Sequence, residues 1–352
     1  MRLEQIRAAI NKSDRDLISL LAKRMELAIR TRPFKKDTLD TGREEAVIKN
    51  AKNARFGVLT EDFVEEIIKG IMSESRKLQD KNLTLVAFQG EHGAYSEIAC
   101  RQLVKDNGAY IPNEKFRDVF EGVEMGAFDV GIVPVENSLE GAVTQVNNLL
   151  VKTKLKVIGE TVVRIDHCLM AKKGTDPKEI KIVYSHPQAL GQCAEFINKN
   201  NLEARPYYDT AGAAKMIIDK NRPAGAIASP LCADFYGLEI IQEHIEDDNS
   251  NQTRFLMLSK EPLKEEGNKC SLVFSTTDEA GQLLKVLSIF ADNKINLTRI
   301  ASMPNREDHG NYNFFLDFEG SDRDPAIVKI IEDVKANSQS MNFLGCYKAY
   351  KQ

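Results

Sequence analysis

The stretch Asn251-Gln252-Thr253-Arg254-Phe255 decides how the central part of this sequence is interpreted. It follows the acidic run Glu246-Asp247-Asp248 and leads directly into the apolar, strand-like run Leu256-Met257-Leu258. A hydroxyl, a guanidinium and an aromatic ring in succession suggest a polar site at the mouth of a β-sheet. Because earlier segments of the same region end in similar polar loops, we expect Thr253 to lie among them in an anion-binding cleft.

Strand-like runs alternate with short polar loops on the N-terminal side of this stretch. The predicted strands are 83–88, 129–135, 182–184, 207–208 and 226–228, with a further strand from Phe255. Ser185 with Gln188, and Asp209 or Thr210, are candidate N-caps for the helices that follow. Strand, polar loop and helix in repeated order predict an α/β domain that binds its ligand beyond the strand ends, facing helix N-termini. Taken singly, each of these polar residues is more simply explained as a helix cap.

Residues 1–80 have the pattern of an all-helical domain. Apolar residues recur at helical spacing from Leu3 onward, and neither Gly nor Pro occurs before Pro33. The run Thr41-Gly42-Arg43-Glu44 is a capping-box pattern that announces a second helix. A third helix is predicted over roughly 61–78, with its apolar residues on one face.

Polar side chains interrupt the apolar faces of these helices. Arg7 and Arg24 fall on the stripe of the first helix, and Ser75 and Gln79 extend that of the third. Either the arginines snorkel or pair with acidic residues, or they bind an anionic ligand, since an unpaired buried charge is very costly. Several polar groups on facing stripes favour a ligand. Arg7 and Arg24 lie ~25 Å apart along one helix, so a shared site requires an intertwined dimer.

The C-terminal region changes pattern again from Lys269. Predicted strands at 270–276, 295–302, 312–318 and 343–349 are separated by predicted helices at 280–292 and 324–337. This βαββαβ order predicts a small α+β unit of the ferredoxin-like type.

Length and composition exclude several classes of protein. A chain of 352 residues is expected to form two or three domains, and a net charge of −4 does not indicate nucleic-acid binding. We find neither a membrane-spanning run nor a signal peptide, which favours the cytoplasm. The six cysteines form no Cys-x-x-Cys pair and are expected to be free thiols, and the five histidines lack ligand spacing. No metal or cofactor is predicted.

The helical segment resembles the all-helical (AroQ-type) chorismate mutases. The resemblance implies a site made of the following residues, with Arg7 supplied by the partner subunit: Arg7, Arg24, Lys35, Asp40, Arg43, Glu44, Ser75 and Gln79. In that family a dicarboxylate is held in a compact conformation while charge develops on its ether oxygen. Arg7 and Arg24 would clamp carboxylates. Lys35 and Gln79 would donate to the ether oxygen, and Glu44 would hold the substrate hydroxyl or simply cap its helix.

Residues 83–260 resemble prephenate dehydratase, which has two α/β lobes like those of periplasmic binding proteins. The motifs are Gly93-Ala94-Tyr95-Ser96, Pro134-Val135-Glu136-Asn137-Ser138, Ser185-His186-Pro187-Gln188-Ala189-Leu190, Asp209-Thr210-Ala211 and Thr253-Arg254-Phe255. The resemblance makes Thr253 the essential hydroxyl near the leaving group, with Glu136 as the alternative acid and His186 as a weaker one. The residues expected to orient the substrate are Ser96, Asn137, Ser138, Ser185, Gln188, Thr210, Arg254 and Phe255. Phe255 has an alternative packing role, and the alternative for Arg254 is an ion pair with Asp247 or Asp248.

The C-terminal unit resembles the ACT domain that ends this dehydratase family and binds phenylalanine at a subunit interface. Gly281, Leu283 and Ser302 are the matching regulatory positions. The family signature Glu-Ser-Arg-Pro is replaced by Ala301-Ser302-Met303-Pro304, so an acid and a base are lost. The expected effector is phenylalanine.

The sequence therefore predicts a chorismate mutase at 1–80, a prephenate dehydratase at 83–260 and an ACT regulatory domain at 269–352. The expected substrates are chorismate and prephenate, and the expected assembly is a homodimer or homotetramer without nucleic acid or membrane. One alternative keeps the dehydratase but makes the helical domain a dimerisation module. The other is a non-catalytic regulator that senses a small molecule.

Overall fold

The computed structural model of the chain describes residues 3–35, 37, 39–54, 57–220, 222–277, 279–304 and 312–350. The chain divides into two compact units, Met1–Leu85 and Val86–Gln352. Within the described residues, no helix is both long and apolar enough to cross a membrane.

The first unit is helical, as its periodicity predicts. It contains α1 (Leu3–Arg30), α2 (Thr41–Asn53) and α3 (Glu61–Asp80). Helix α1 is continuous because no Gly or Pro interrupts it. Helix α3 begins where Phe63 N–H donates to Thr60 Oγ1 at 3.3 Å, and Glu61 and Asp62 in its first turn complement the helix dipole.

The start of α2 differs from the predicted capping box. The N-cap is Asp40, whose Oδ1 accepts from Arg43 N–H at 2.9 Å, and Thr41 is the first helical residue. Glu44 does not complete a box, since its carboxylate pairs with Arg76 of α3. An aspartate one residue earlier satisfies the same free N–H groups as well as a threonine would.

Helix α1 exposes most of its apolar stripe within one copy of the chain. Leu3, Ile10, Leu17 and Leu20 each leave more than half of their surface in contact with solvent. The buried residues of its three helices, within their described parts, are Ile29, Met72, Ser75 and Gln79, which lie on α1 and α3. An apolar stripe of this length is typical of a surface that is covered in an assembly.

The second unit is built from three sheets and the helices that cover them. Its strands are β1 (Thr84–Gln89, which begins just before the unit), β2 (Gly108–Asn113), β3 (Val130–Asn137), β4 (Gly141–Ala142), β5 (Lys156–Arg164), β6 (Cys168–Lys172), β7 (Ile182–Ser185), β8 (Glu203–Pro206), β9 (Gly225–Ala228), β10 (Leu238–Gln242), β11 (Gln252–Ser259), β12 (Lys269–Thr276), β13 (Leu297–Pro304), β14 (Tyr312–Glu319) and β15 (Ser340–Tyr347). Its helices are α4 (Tyr95–Val104), α5 (Phe116–Glu124), α6 (Thr144–Lys152), α7 (Pro187–Gln192), α8 (Ala194–Lys199), α9 (Thr210–Ile217), α10 (Leu231–Tyr236), α11 (Gln282–Asp292) and α12 (Pro325–Ala336).

The first two sheets form the two predicted lobes. The first lobe has strand order β2-β1-β3-β11-β5, with β4 beside β3, and the second has β10-β6-β9-β7-β8. Strands β1 and β3 are parallel, whereas β11 runs antiparallel between β3 and β5. The strand predicted at Tyr207 and Tyr208 is wrong: β8 ends at Pro206, and its exposed residues give no apolar pattern for the sequence to reveal.

The chain crosses between the lobes twice, through residues 165–167 and 243–251. These segments lie side by side, because Ile165 N–H donates to the Asn251 carbonyl at 2.9 Å and Ile245 N–H donates to the His167 carbonyl at 3.0 Å. Residues 251–255 therefore run directly from the second crossing into β11.

The third sheet has the predicted ferredoxin-like order, with strands β13-β14-β12-β15 and helices α11 and α12. Its core packs apolar residues of β12, β14 and both helices. Strand β15 lies close to β5 of the first lobe, where Gly345 has a φ of 132°. A Cβ atom at Gly345 would lie 2.9 Å from the Val157 carbonyl oxygen, so only glycine permits this approach.

Candidate functional sites

Three predicted polar residues of the helical unit come together between α1 and α3. Arg24 Nη1 donates to Ser75 Oγ at 2.9 Å, and Ser75 Oγ donates to the Ile71 carbonyl at 2.8 Å. Gln79 Nε2 donates to the Ala28 carbonyl at 2.5 Å and to Thr31 Oγ1 at 3.0 Å. The predicted polar cluster of Arg24, Ser75 and Gln79 thus has a hydrogen-bonded geometry in one copy of the chain.

The other predicted mutase residues lie outside this hydrogen-bonded cluster. Asp40 and Arg43 lie at the start of α2, and Lys35 is exposed in the turn before it. Arg7 is exposed on α1. Because α1 is continuous from Leu3 to Arg30, the separation of ~25 Å between Arg7 and Arg24 stands, and one copy does not bring them together.

A compact polar cluster lies at the end of β11, next to the lobe crossing. Asn137 Nδ2 donates to Thr253 Oγ1 at 3.0 Å and to Asn251 Oδ1 at 2.7 Å. Gln252 N–H donates to Ser138 Oγ at 3.0 Å, which ties the β3 loop to the same strand. The sequence prediction that Thr253, Asn137 and Ser138 lie close together agrees with this geometry.

The donor and acceptor roles in this cluster follow from the backbone. Asn137 Oδ1 accepts from the N–H groups of Leu139 and Glu140, each at 3.0 Å. Its amide nitrogen must therefore face Asn251 and Thr253, which fixes both amide orientations. Thr253 Oγ1 accepts, and its own hydroxyl hydrogen is available to another acceptor.

Asn251 is a candidate that the sequence argument did not select. Its side chain is 1% exposed, and its Nδ2 has no acceptor among the described residues. A buried donor without a partner is rare and costs about 1–3 kcal/mol. The only sequence signal was its position two residues before Thr253, which places both side chains on one face of an extended segment.

Two predicted site residues face away from this cluster. Thr253 pairs with Asn137 and Arg254 with Glu136, and successive side chains along a strand point to opposite faces of the sheet. Glu136 Oε2 accordingly accepts from Arg299 Nε at 2.9 Å, and Arg254 contacts residues of the third sheet. A β-bulge follows these pairs, because Phe255 pairs with Pro134 and leaves Val135 as the extra residue.

Three predicted roles are therefore revised. Glu136 lies on the opposite side of the strand pair from Thr253 and is not placed to serve as its alternative acid. Arg254 pairs with Glu160 and Asp317 rather than with substrate, and also not with Asp247 or Asp248. Phe255 is 2% exposed in the core of the first lobe, which confirms its packing alternative.

The segment from Gly93 to Ser96, which belongs to the first lobe, also contacts the lobe crossing and the second lobe. Tyr95 Oη donates to the Asp166 carbonyl at 2.6 Å, and the Gly93 carbonyl accepts from Ser229 Oγ. Gly93 has a φ of 89°, and a Cβ there would lie 2.6 Å from Cys232 Sγ, so a larger residue would separate the lobes. Ser96 is buried in the first turn of α4.

Glu97 anchors the same loop from within α4. Its carboxylate accepts from Gly93 N–H at 3.0 Å and pairs with Arg101 at 2.6 Å. Burial opposes ionisation of Glu97, but hydrogen bonds from His92 and Gly93 bring its pKa below the usual range. The buried charge thus holds the start of α4 in place.

The second lobe presents the remaining motif residues at helix N-termini. Asp209 caps α9, as predicted, because its Oδ1 accepts from Gly212 N–H at 2.9 Å, and Thr210 follows it. Burial raises the pKa of Asp209. Ser185 is not a cap: it ends β7 and donates to the Ile227 carbonyl, while His186 caps α7 beside the exposed Gln188.

One group of side chains has the chemistry of a metal site. Asp166, His244 and Glu246 place ligand atoms within 4.8 Å of one another, the one such group among the described residues. However, Glu246 accepts from His167 N–H at 3.0 Å and pairs with Arg164 at 3.1 Å. Asp166 Oδ1 lies 2.8 Å from His244 Nδ1. These contacts explain the group as hydrogen bonds and ion pairs that stabilise the lobe crossing.

Comparison with known proteins decides the family. Family models match chorismate mutase type II at residues 6–80, prephenate dehydratase at 86–263 and the ACT domain at 271–336. The bifunctional chorismate mutase/prephenate dehydratase of Aquifex aeolicus (strain VF5) is 33% identical over 357 residues, covering 98% of this chain and 97% of that protein. The chain belongs to the bifunctional chorismate mutase/prephenate dehydratase family.

Two further relatives cover the dehydratase and ACT domains. Chloroplastic arogenate dehydratase/prephenate dehydratase 2 of Arabidopsis thaliana is 38% identical over 275 residues, which are 74% of this chain and 72% of the plant protein. The crystal structure of prephenate dehydratase from Arthrobacter aurescens in complex with L-Phe gives a TM-score of 0.69 at 29% identity, covering 76% and 90% of the two chains. The predicted family and two-lobed fold are confirmed.

The predicted regulatory residues lie on two elements of the ACT domain. Gly281 precedes α11 with a φ of 85°, and Leu283 packs against the domain core. Ser302 is exposed on β13, which is an edge strand of its sheet. An exposed edge strand offers unpaired backbone groups to a second copy of the chain.

Proposed function

We propose that this chain rearranges chorismate to prephenate in its helical domain and converts prephenate to phenylpyruvate in its two-lobed domain. The observation that carries the second assignment is the Thr253 hydroxyl, oriented by Asn137 beside the lobe crossing. The order of the three family matches along one chain supports the pairing of the two reactions.

In the mutase reaction the protein has to hold the substrate and stabilise charge on its ether oxygen, and no proton transfer is needed. Arg24, already fixed by Ser75, binds a substrate carboxylate, and Arg7 of a second copy binds the other. Lys35 and Gln79 donate to the ether oxygen as it gains charge. Glu44 holds the substrate hydroxyl, with Arg76 paired to its carboxylate. Asp40 and Arg43 position the start of α2.

In the dehydratase reaction the bond from the ring to its carboxylate breaks and releases carbon dioxide. The electron pair enters the ring and expels the C4 hydroxyl as hydroxide, which takes a proton from solvent to become water, and the ring becomes aromatic. Thr253 donates its free hydroxyl hydrogen to that oxygen. Its acidity is low, so it acts by an oriented hydrogen bond. Ser96, Ser138, Gln188 and Thr210 orient the substrate from the loops and helix N-termini around the cleft.

We assign prephenate rather than arogenate as the substrate because of the domains that this chain contains. The plant relative is named for both substrates, but this chain carries a mutase domain whose product is prephenate. A domain that receives its substrate from the same chain gains most by accepting that product. We therefore assign prephenate as the substrate.

Phenylalanine is the proposed effector of the ACT domain. The Arthrobacter aurescens dehydratase is described in complex with L-Phe, and Gly281, Leu283 and Ser302 occupy the matching positions here. We place the enzyme in the cytoplasm because all six cysteines are buried, unlinked thiols, as a reducing compartment maintains them.

Separate supply of the two substrates tests this assignment. Purified protein should form phenylpyruvate from chorismate and from prephenate. Arg24→Ala removes a partly buried carboxylate-binding cation, so chorismate consumption should fall by a factor on the order of 100 or more, while turnover of supplied prephenate is retained. A protein whose helical domain only dimerises would show the same chorismate consumption in both forms.

A further inference from the structure

Two motif residues that were expected in the dehydratase site face the ACT domain instead. Arg254 and Glu136 are paired across β11 and β3, directly next to the pair formed by Thr253 and Asn137. The two pairs point to opposite sides of the strands. One side of β11 and β3 carries the hydroxyl assigned to catalysis, and charged residues of the ACT domain contact the other side.

Arg254 is the centre of the first contact. Its Nε donates to Glu160 Oε2 at 2.7 Å, its Nη1 to Asp317 Oδ2 at 2.5 Å and its Nη2 to Tyr347 Oη at 2.9 Å. Glu160 belongs to the first lobe, whereas Asp317 and Tyr347 belong to β14 and β15 of the ACT domain. The guanidinium therefore joins both domains at the strand that bears Thr253.

The charges of this contact are buried and fully engaged. Arg254 is 13% exposed, while Glu160 and Asp317 are each 4% exposed. Burial opposes the charge on Asp317, yet Arg254 and Arg299 hold its pKa below the usual range. Removing one partner of such a group leaves an uncompensated buried charge, so the contact has one favourable geometry.

Arg299 of β13 makes the second contact, with β3. Its side chain is 8% exposed, and its Nε donates to Glu136 Oε2 at 2.9 Å. Its Nη2 lies 3.5 Å from Asn147 Oδ1, and Asn147 Nδ2 donates to the Val135 carbonyl at 3.0 Å. Both residues of the β-bulge, Val135 and Glu136, are thus held through Arg299.

We propose that Arg254 and Arg299 are positioning residues through which the ACT domain sets the geometry of Thr253 and Asn137. A shift of β13 or β14 would move Glu136 or Arg254, and each is one residue from a member of the catalytic pair. Since Arg299 lies on the strand that carries Ser302, a change at the regulatory strand reaches the site without an intermediate element. This inference rests on the proposed role of Thr253.

The test uses variants of the second contact in the full-length enzyme. Arg299→Gln and Glu136→Gln should each lower kcat for prephenate about tenfold, with KM little changed, because the reacting groups are displaced while binding groups remain. Their losses should not multiply in the double variant, since both break one contact. Arg299→Lys should recover part of kcat. Lys348→Gln is the control, since it breaks an exposed ACT-domain pair with Glu265.

Chorismate mutase turnover of each variant should equal that of the wild type, and a thermal melt reports whether the unit that contains the substitution is folded. Wild-type kcat in Arg299→Gln, or multiplied losses in the double variant, would overturn the inference. A loss in Glu136→Gln far exceeding that in Arg299→Gln would also overturn it, because Glu136 would then act as an acid. Glu136→Gln preserves shape at a partly exposed position and keeps the test usable if Arg299→Gln does not fold. Failure of the wild type to dehydrate prephenate would instead contradict the proposed function.

Discussion

The hydrogen bond between Asn137 and Thr253 has a direction that matters for the chemistry. Two backbone N–H groups occupy Asn137 Oδ1, so Asn137 must donate to Thr253 Oγ1. The threonine cannot donate back to that amide, so its hydrogen is left for another acceptor. In the proposed mechanism this residue contributes the orientation of a donor rather than an unusual acidity.

Asn251 gives a prediction at the same scale. Asn251→Ala should lower kcat/KM for prephenate about tenfold, because a donor to a substrate oxygen is lost. The fold should tolerate the change, since Asn137 keeps its bonds to Thr253 and the Gln252 carbonyl. Steady-state kinetics and a thermal melt measure the two effects.

Asn113 supplies the matched control for Asn251. It is also a buried asparagine, but its amide donates to the carbonyls of Phe88 and Ile111. Asn113→Ala should therefore lower the melting temperature and leave kcat/KM close to that of the wild type. Unchanged kcat/KM in Asn251→Ala would show that its amide has no part in binding.

Elements with a regular apolar pattern were predictable from the sequence. The third helix was expected at 61–78 and spans Glu61–Asp80, and the ferredoxin-like order of the last unit was also correct. Strand β8 was misplaced because an exposed edge strand has no burial pattern to read. The caps of α2 and α7 shifted by one residue, since neighbouring polar residues can satisfy the same N–H groups.

The partners of Glu136 and Arg254 were beyond prediction for a different reason. Alternation along the strands already places Glu136 on the face opposite to Asn137, and Arg254 on the face opposite to Thr253. It does not say which residues meet them there. The contacts with Arg299 and Asp317 come from positions far along the chain, so only the folded structure reveals them.

Helix α1 gives a prediction at the scale of an element. If its exposed stripe joins two copies and Arg7 serves the partner's site, Arg7→Ala and Arg24→Ala chains should complement each other. Each variant alone should lack mutase activity, whereas chains co-folded in equal amounts should recover roughly a quarter of it, since half of the dimers contain one intact site. Mutase assays on the separate and mixed proteins measure this. An inactive mixture would contradict the supply of Arg7 to the partner's site.

The whole molecule combines two reactions that need different catalytic groups. The helical domain binds and polarises a dicarboxylate with cations fixed on long helices. The two-lobed domain offers an oriented hydroxyl beside a lobe crossing, and the ACT domain contacts the back of the strand that carries it. The sequence motifs indicated both sites, while the link between the last two domains came from the structure.

The most direct measurement follows both products when the Thr253→Ala protein receives chorismate. The account predicts that chorismate disappears at the wild-type rate and that prephenate accumulates in equal amount. Phenylpyruvate should not form enzymatically in this variant, whereas the wild type carries the same chorismate through to phenylpyruvate. Phenylpyruvate formed by Thr253→Ala at the wild-type rate would contradict the assignment of Thr253 as the donor to the leaving hydroxyl.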